Sequence, residues 1–195
     1  MAYSLAQQRI IREVQQFVHN AMACNDPAHD GAHVHRVVRL VHTLCQADPQ
    51  ADPFRAELLA WLHDLNDDKL ASDLGVESIG AFLKEIGVDD QDISFILSGI
   101  PYISYRKHPI LSPDIPLEIR IVQDADRIDA MGAIGIARTF AFGGAKGRTL
   151  EDSLAHFDEK LLKLYDLLST DAAKEIARSR RDFLQQFYHQ FREEQ

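Results

Sequence analysis

The chain has 195 residues, of which 30 are acidic and 21 basic, and it carries a formal net charge of −9 at pH 7. A chain of this length normally forms one domain and buries roughly 70% of the surface that its unfolded form exposes, so it needs no disulfide for stability. The charge argues against tight binding to long nucleic acids, because cations that neutralise phosphates supply most of that affinity, but it leaves room for a small phosphorylated ligand held by a few local cations.

The N-terminal segment lacks the basic patch and apolar run of a signal peptide, and no apolar stretch approaches the length of a membrane span. Cys24 and Cys45 stand far apart and form no C-x-x-C pair, so both are interpreted as reduced packing residues. The sequence therefore predicts a cytoplasmic protein without a membrane segment.

Apolar residues recur at helical spacing through the first half of the chain. They predict helices over about 4–22 and 30–46, and a third helix that begins at Pro53, since proline is favoured at the first helical position. The third helix carries apolar residues on several faces, which predicts burial on more than one side. Two shorter helices are expected at about 77–86 and 90–98.

The second half of the chain begins with a proline-rich stretch over 99–116 that has no helical period and predicts a long loop. Loops of that length often form lids or binding loops. A helix restarts near residue 117 and is expected to continue to about 142. The glycine-rich segment 143–147 is interpreted as a flexible connection, and amphipathic helices over 151–168 and 171–192 close the chain.

The fold class predicted from these elements is all-α, because no strand hairpin, internal repeat or low-complexity tract is present. We expect a single domain over 1–195, with a metal-site core at about 29–142 and closing helices at about 151–192. Apolar residues on the outer faces of the last two helices leave room for a homodimer.

Side chains that can bind a metal are spaced along three of the predicted helices: His33 on the second, His63 and Asp64 at the end of the third, and Asp124 and Asp126 on the helix after the loop. Imidazole and carboxylate together suit a divalent ion of intermediate softness. A lone helix histidine is more often a surface or capping residue. A histidine–aspartate pair that ends an apolar helix is different, because burying its charge without a partner is costly and a metal ion supplies that partner.

Three motifs carry a resemblance to a known family: H-x-x-R-V at 33–37, L-H-D at 62–64 and D-A-D-R-I-D-A-x-G-A-I-G-I-A-R at 124–138. In order, spacing and helical context they resemble the HD-domain superfamily of metal-dependent phosphohydrolases, over most of the chain. The segment 123–142 is most similar to a bacterial branch of small stand-alone HD hydrolases. The resemblance implies one bound divalent ion, with Mn, Ni, Co, Fe, Zn and Mg as the candidates.

Carried over position by position, the resemblance implies four metal ligands. The first histidine has two competitors. His29 lies in the turn before the helix, where a capping or supporting role is expected, and His35 is two residues beyond His33, which turns it roughly 200° away on a helix. The implied ligand set is His33, His63, Asp64 and Asp126.

The two aspartates of the last motif pose the same problem, because residues two apart on a helix cannot both face one ion. The A-D-R motif of the family selects Asp126. Asp124 is expected to orient another helix. Asp129 lies one turn after Asp126 and is a candidate for the substrate pocket.

The run H-D-L-N-D-D-K that begins at His63 is similar to the H-D-x-x-D-x-K variant of this branch, which implies catalytic roles for Asp67 and Lys69. The carboxylate can accept a proton from water, and the ammonium can hold phosphate oxygens. The alternative is that this run is a solvated helix terminus. Arg106 and Lys107 in the long loop are further substrate candidates, although most arginines on acidic proteins are surface ion-pair partners.

Nucleotides are frequent substrates in the superfamily, so the resemblance implies a nucleotide phosphohydrolase that releases phosphate or pyrophosphate by metal-activated water. The rival hypothesis is a helical regulatory module that binds metal and nucleotide without turnover. A complete ligand set with Asp67 beside it favours catalysis. The negative charge and a metal ringed by packed helices favour nucleoside di- or triphosphates over DNA or RNA.

Overall fold

A computed structural model of the chain describes residues 3–22, 31–65, 76–103 and 114–195. Over these ranges the chain forms nine α-helices and two short 3₁₀ turns and has no strand, which confirms the all-α class. None of the helices in the described ranges combines the length and the apolar content that a membrane crossing requires. Two compact units are present, Met1–Gln123 and Asp124–Gln195. The assignment of a single domain stays a prediction.

The first unit contains five helices and the first part of a sixth. The first three agree with the sequence prediction to within about a residue. The helices are α1 Leu5–Met22, α2 Gly31–Ala47, α3 Pro53–Leu62, α4 Val76–Glu85, α5 Asp90–Ile103 and α6 Leu117–Asp129.

Helix α3 is the most deeply buried of these. Asp52 caps its N-terminus by accepting hydrogen bonds from the backbone N–H of Phe54 at 2.9 Å and of Arg55 at 3.3 Å, and Pro53 fills the first position. From Phe54 to Leu62 every residue but Arg55 is buried. The prediction that this helix is covered on more than one side is therefore confirmed.

Helix α5 continues into the stretch that was predicted to be a loop. It ends at Ile103 and holds Pro101 in its last turn, where one backbone hydrogen bond is lost. A Cβ on Gly99 would lie 3.2 Å from the Ile119 side chain, so the glycine lets two helices approach closely. Ile100 and Ile103 are both buried. The burial of these apolar side chains keeps the segment helical, although the proline alone predicts that the helix ends earlier.

The second unit holds the rest of α6 and three further helices: α7 Gly132–Ala145, α8 Leu150–Glu159 and α9 Asp171–Glu193. The prediction of a single helix from residue 117 to 142 is wrong, because α6 ends at Asp129 and α7 begins at Gly132. Gly132 has a positive φ of 75°, which only glycine adopts readily. A Cβ on Gly135 would overlap the carbonyl oxygen of Ala130, so the turn between the two helices is too tight for a larger residue.

Two further predictions in this unit are wrong. Gly143 and Gly144 lie inside α7 rather than in a connection, and the missing side chain of Gly143 admits the hydroxyl of Ser153. The helix predicted over 151–168 ends at Glu159 and is followed by 3₁₀ turns at Leu161–Lys163 and Tyr165–Leu167. Residues three apart share a face in this tighter helix, and Leu161 and Leu164 are buried accordingly.

Candidate metal centre

The C-terminal end of α3 places His63 and Asp64 side by side. His63 is 7% exposed, and its Nδ1 lies 2.7 Å from the carbonyl oxygen of Ala60. A carbonyl can only accept, so in the neutral ring it is Nδ1 that carries the proton and Nε2 that keeps the lone pair. That Nε2 atom is buried and makes no hydrogen bond to any described residue. A buried acceptor of this kind needs a cation or a donor as its partner.

Asp64 brings a carboxylate to the same point. Its Oδ1 lies 3.3 Å from Nε2 of His63, and its Oδ2 lies 3.3 Å from Nε2 of His33. Ligand atoms that are each about 2.1 Å from one ion are separated by roughly 3 to 3.5 Å when adjacent, so these spacings fit a shared metal ion. Asp64 is also the least buried of the three, with 23% of its side chain exposed, which leaves an approach from solvent.

His33 reaches this point from the first turn of α2. It is 4% exposed and lies on the same buried stripe as Val34 and Val37. Its ring centroid is 5.5 Å from that of His63, with the rings inclined at 64°. One ligand atom from each of His33, His63 and Asp64 lies within 4.8 Å of the others, and within the described ranges this is the group with that property. Two imidazoles and a carboxylate are a donor set that suits a divalent transition metal.

The competitors of His33 are separated from this point or lie outside the described residues. His35 is exposed on another face of α2, with its ring edge-on to Trp61 at 4.9 Å between centroids. Five of the predicted residues fall in ranges that the structure does not describe, so their roles stay predictions: His29, Asp67, Lys69, Arg106 and Lys107.

The predicted residues of the second unit lie on α6. Asp126 is half-buried there, and its role as a ligand stays a prediction. Asp124 is fully buried and accepts hydrogen bonds at 2.9 Å from the backbone N–H of Ser169 and from the backbone N–H and hydroxyl of Thr170. Burial raises the pKa of Asp124, against the opposing effect of these hydrogen bonds. Asp124 thereby fixes the start of α9, as its expected role of orienting another helix requires.

Asp129, the candidate for the substrate pocket, is 1% exposed and accepts a hydrogen bond from Arg138 at 3.0 Å. This pairing satisfies a buried charge inside the second unit. A role toward substrate stays a prediction.

Sequence reasoning missed one polar cluster near the metal centre. Glu57 is buried in the middle of α3, where it accepts hydrogen bonds from Tyr3, His42 and Trp61. The signal was present in the sequence, because a glutamate within the otherwise apolar run 56–62 needs buried partners. Tyr3 and His42 come from distant positions, and only the folded chain identifies them as partners.

An all-α chain that brings two imidazoles and a carboxylate to one buried point defines a helical metal protein of histidine–aspartate type. No family model matches the chain. It is 37% identical over 185 residues to the uncharacterized protein YpgQ of Bacillus subtilis, covering 91% of this chain and 90% of that protein. The structure of YpgQ in complex with ADP matches with a TM-score of 0.85 and 33% identity, covering 98% and 97% of the two chains.

A second solved structure, an HD-superfamily hydrolase from Bacillus thuringiensis, matches with 37% identity and a TM-score of 0.78, covering 96% of this chain and 97% of that one. The chain belongs to the HD superfamily of hydrolases. The family resemblance of its three motifs is thereby confirmed.

Proposed function

We propose that this protein is a metal-dependent phosphohydrolase that acts on a small phosphorylated substrate, a nucleotide. The observation that carries the proposal is the convergence of His33, His63 and Asp64 around the buried Nε2 lone pair of His63. Membership of the HD superfamily supports hydrolysis as the reaction class. The ADP found in the structure of YpgQ supports a nucleotide as the ligand class.

The residues that would hold the ion are His33, His63 and Asp64, with Asp126 as the fourth ligand on the strength of the A-D-R motif. A divalent ion held by these residues would supply a coordinated water of lowered pKa and a charge that polarises a phosphoryl oxygen. The hydrogen bond from His63 Nδ1 to Ala60 holds the ring in the tautomer that presents Nε2. Asp67 would take up the proton from the attacking water, and Lys69 would offset charge on the phosphate.

The test is a panel of nucleoside mono-, di- and triphosphates and sugar phosphates, incubated with Mn²⁺, Co²⁺, Ni²⁺ or Mg²⁺ in turn. Phosphate release is measured with and without added inorganic pyrophosphatase, which separates phosphate from pyrophosphate as the first product. We expect turnover of nucleotides that is lost on chelation and restored by the ion. His189→Ala is the matched control, since this histidine is exposed on α9, outside the candidate metal centre, and should retain the activity.

Two outcomes would overturn the proposal. If ADP binds in calorimetry but no member of the panel is hydrolysed with any ion, the chain is a nucleotide-binding module. If turnover persists after exhaustive chelation, the reaction does not depend on a metal.

A further inference from the structure

Helices α2 and α3 meet along a line of polar and aromatic contacts, which we call the α2–α3 seam. It consists of His35 and His42 on α2 with Trp61 and Glu57 on α3. The His35 and Trp61 rings meet edge-on at 4.9 Å, and His42 Nε2 donates to Glu57 Oε2 at 2.7 Å. His35 and His42 are seven residues apart and therefore lie on the same face of α2.

Glu57 is the centre of this seam. It is 3% exposed and accepts three hydrogen bonds: from the Tyr3 hydroxyl at 2.6 Å, from His42 at 2.7 Å and from the indole N–H of Trp61 at 3.3 Å. A buried carboxylate without donors is costly. Because the donors come from the N-terminal segment, from α2 and from α3 itself, the carboxylate is satisfied only in one arrangement of these segments.

The same two helices carry the candidate metal centre on another side. His33 is two residues before His35, and His63 is two residues after Trp61, so each ligand is turned roughly 200° from its neighbour in the seam. Sliding α2 along α3 by one residue would move His33 by about 1.5 Å relative to Asp64. Metal–ligand distances tolerate only about ±0.2 Å. The contact that fixes the helix register therefore also fixes the spacing of the ligands.

We propose that Glu57 is a positioning residue for the metal centre: by holding His42, it sets the register of α2 on α3 and so keeps His33 opposite His63 and Asp64. The inference rests on the proposed function for the existence of the metal site. Glu57 lies six residues before His63, about 9 Å along the helix axis, so it acts through the pair of helices and not by contact with the ion.

The primary variant is His42→Ala, which removes the donor on α2 and leaves the hydrogen bonds from Tyr3 and Trp61 in place. His42 is 36% exposed, so its truncation leaves little empty volume. His42→Gln is the conservative variant, because its amide N–H can still donate to the carboxylate. Glu57→Gln, which removes the charge at the centre of the seam, is the second disruptive variant.

The matched control is Asp92→Asn. It weakens the hydrogen bond of 2.5 Å between Arg55 and Asp92, which ties the same α3 to α5 and does not involve α2. Any general effect of loosening α3 appears in this control. A change in Mn²⁺ affinity that comes from a shift in the register of α2 on α3 appears only in the seam variants, His42→Ala and Glu57→Gln.

Three quantities are measured for each variant: Mn²⁺ affinity by calorimetry, thermal midpoint by circular dichroism, and the emission of Trp61, which is the only tryptophan and lies in the seam. We expect His42→Ala and Glu57→Gln to weaken Mn²⁺ binding by about tenfold or more, the range found when partners of metal ligands are removed. Both should shift the Trp61 emission to the red. His42→Gln should recover most of the affinity, and Asp92→Asn should keep both values near wild type.

Loss of affinity that follows the thermal midpoint equally in the seam variants and in Asp92→Asn would overturn the inference, since Glu57 would then be only a stability residue. Wild-type affinity in His42→Ala and Glu57→Gln would also overturn it while leaving the proposed function intact. If the wild-type protein bound no Mn²⁺, Co²⁺ or Ni²⁺, the proposed function would fall and the inference with it. If Glu57→Gln does not fold, the comparison of His42→Ala with His42→Gln decides.

Discussion

The Nδ1 atom of His63 lies 2.7 Å from the carbonyl oxygen of Ala60, one turn earlier on α3. This contact selects the tautomer of the ring and leaves the lone pair of Nε2 buried next to the carboxylate of Asp64. Without a cation, two acceptor atoms at 3.3 Å repel each other. The local backbone of α3 thus prepares the position of a metal ligand before any ion is bound.

The first prediction concerns these two ligands. His63→Ala or Asp64→Ala should abolish both metal retention and turnover, because each removes one of the three metal-ligand atoms that converge at this point. Helical content in the far-ultraviolet should stay close to wild type, since both residues lie past the last turn of α3. The check is metal content after dialysis, with His189→Ala as the control. Full occupancy in His63→Ala would show that the ion is held elsewhere.

Asp67 is the candidate general base, and Asp67→Asn should keep the metal while kcat falls by about 10²-fold or more. Asp68→Asn is the matched control from the same acidic run and should change kcat little. The measurement is steady-state kinetics beside Mn²⁺ calorimetry on both variants. Equal and small effects of the two substitutions would support the alternative that this run is a solvated helix terminus.

The seam also predicts how stability depends on pH. Burial raises the pKa of Glu57, but the hydrogen bonds from His42 and Tyr3 outweigh burial and hold the pKa below its ordinary value. A group whose pKa is lower in the folded state contributes stability above its unfolded pKa, and that stability is lost as the pH falls through the folded pKa. The contribution of Glu57 should therefore be complete near neutral pH and disappear in the acid range below about pH 4.5.

The check is urea unfolding of the wild-type protein and Glu57→Gln between pH 7 and pH 3. The difference in unfolding free energy between the two should shrink as the pH falls. A difference that stays constant over this range would mean that Glu57 is protonated throughout, or that its pKa is the same in the folded and unfolded states.

The sequence predicts elements well where local residues determine them. The start of α3 follows from Asp52 and Pro53, which cap and begin the helix by themselves. The break between α6 and α7 was missed, because the need for glycine at position 132 comes from the packed turn and from Arg180, 48 positions further along the chain, which a periodicity argument does not contain.

The same distinction holds for the site. The motifs indicated His33, His63 and Asp64, and the folded chain brings these three together. Two of the three partners of Glu57, Tyr3 and His42, lie far from it in the sequence, and no local pattern joins positions so far apart. Motifs report side chains that the chemistry requires, whereas positioning contacts depend on tertiary packing and have no fixed spacing.

Asp124 provides a prediction for the second unit. Asp124→Ala removes three hydrogen bonds to a fully buried carboxylate and leaves two backbone N–H groups of the segment before α9 without their acceptor. We expect the free energy of unfolding to fall by about 2 to 4 kcal/mol, since hydrogen bonds to charged groups contribute the most and orphaned donors add their desolvation cost. Chemical unfolding measures the change. The exposed Asp166 serves as control, and Asp166→Ala should stay within about 0.5 kcal/mol of wild type. Equal losses would contradict the capping role.

The last prediction concerns substrate choice: nucleoside di- and triphosphates should be cleaved much better than DNA or RNA. The net charge of −9 repels a long polyanion, whereas a few local cations are enough to hold one phosphate tail. Arg106 and Lys107, in the proline-rich stretch that follows α5, are the cations predicted to do so. The measurement is steady-state kinetics on a nucleotide panel beside single-stranded and duplex oligonucleotides.

Arg106→Ala and Lys107→Ala should raise KM for nucleotides more than they lower kcat, because they remove binding to a phosphate that does not react. Arg148→Ala is the charge-matched control: this exposed arginine lies over the ring of Phe142 at 5.4 Å, and its loss alters the net charge by the same amount. A rise in KM in all three variants would mean that only the net charge of the protein affects substrate binding. An unchanged KM in Arg106→Ala and Lys107→Ala would mean that these two residues do not bind the substrate. If oligonucleotides were cleaved efficiently and mononucleotides were not cleaved, the proposed substrate class would be overturned. A long polyanion would then bind to a protein whose net charge is predicted to repel it.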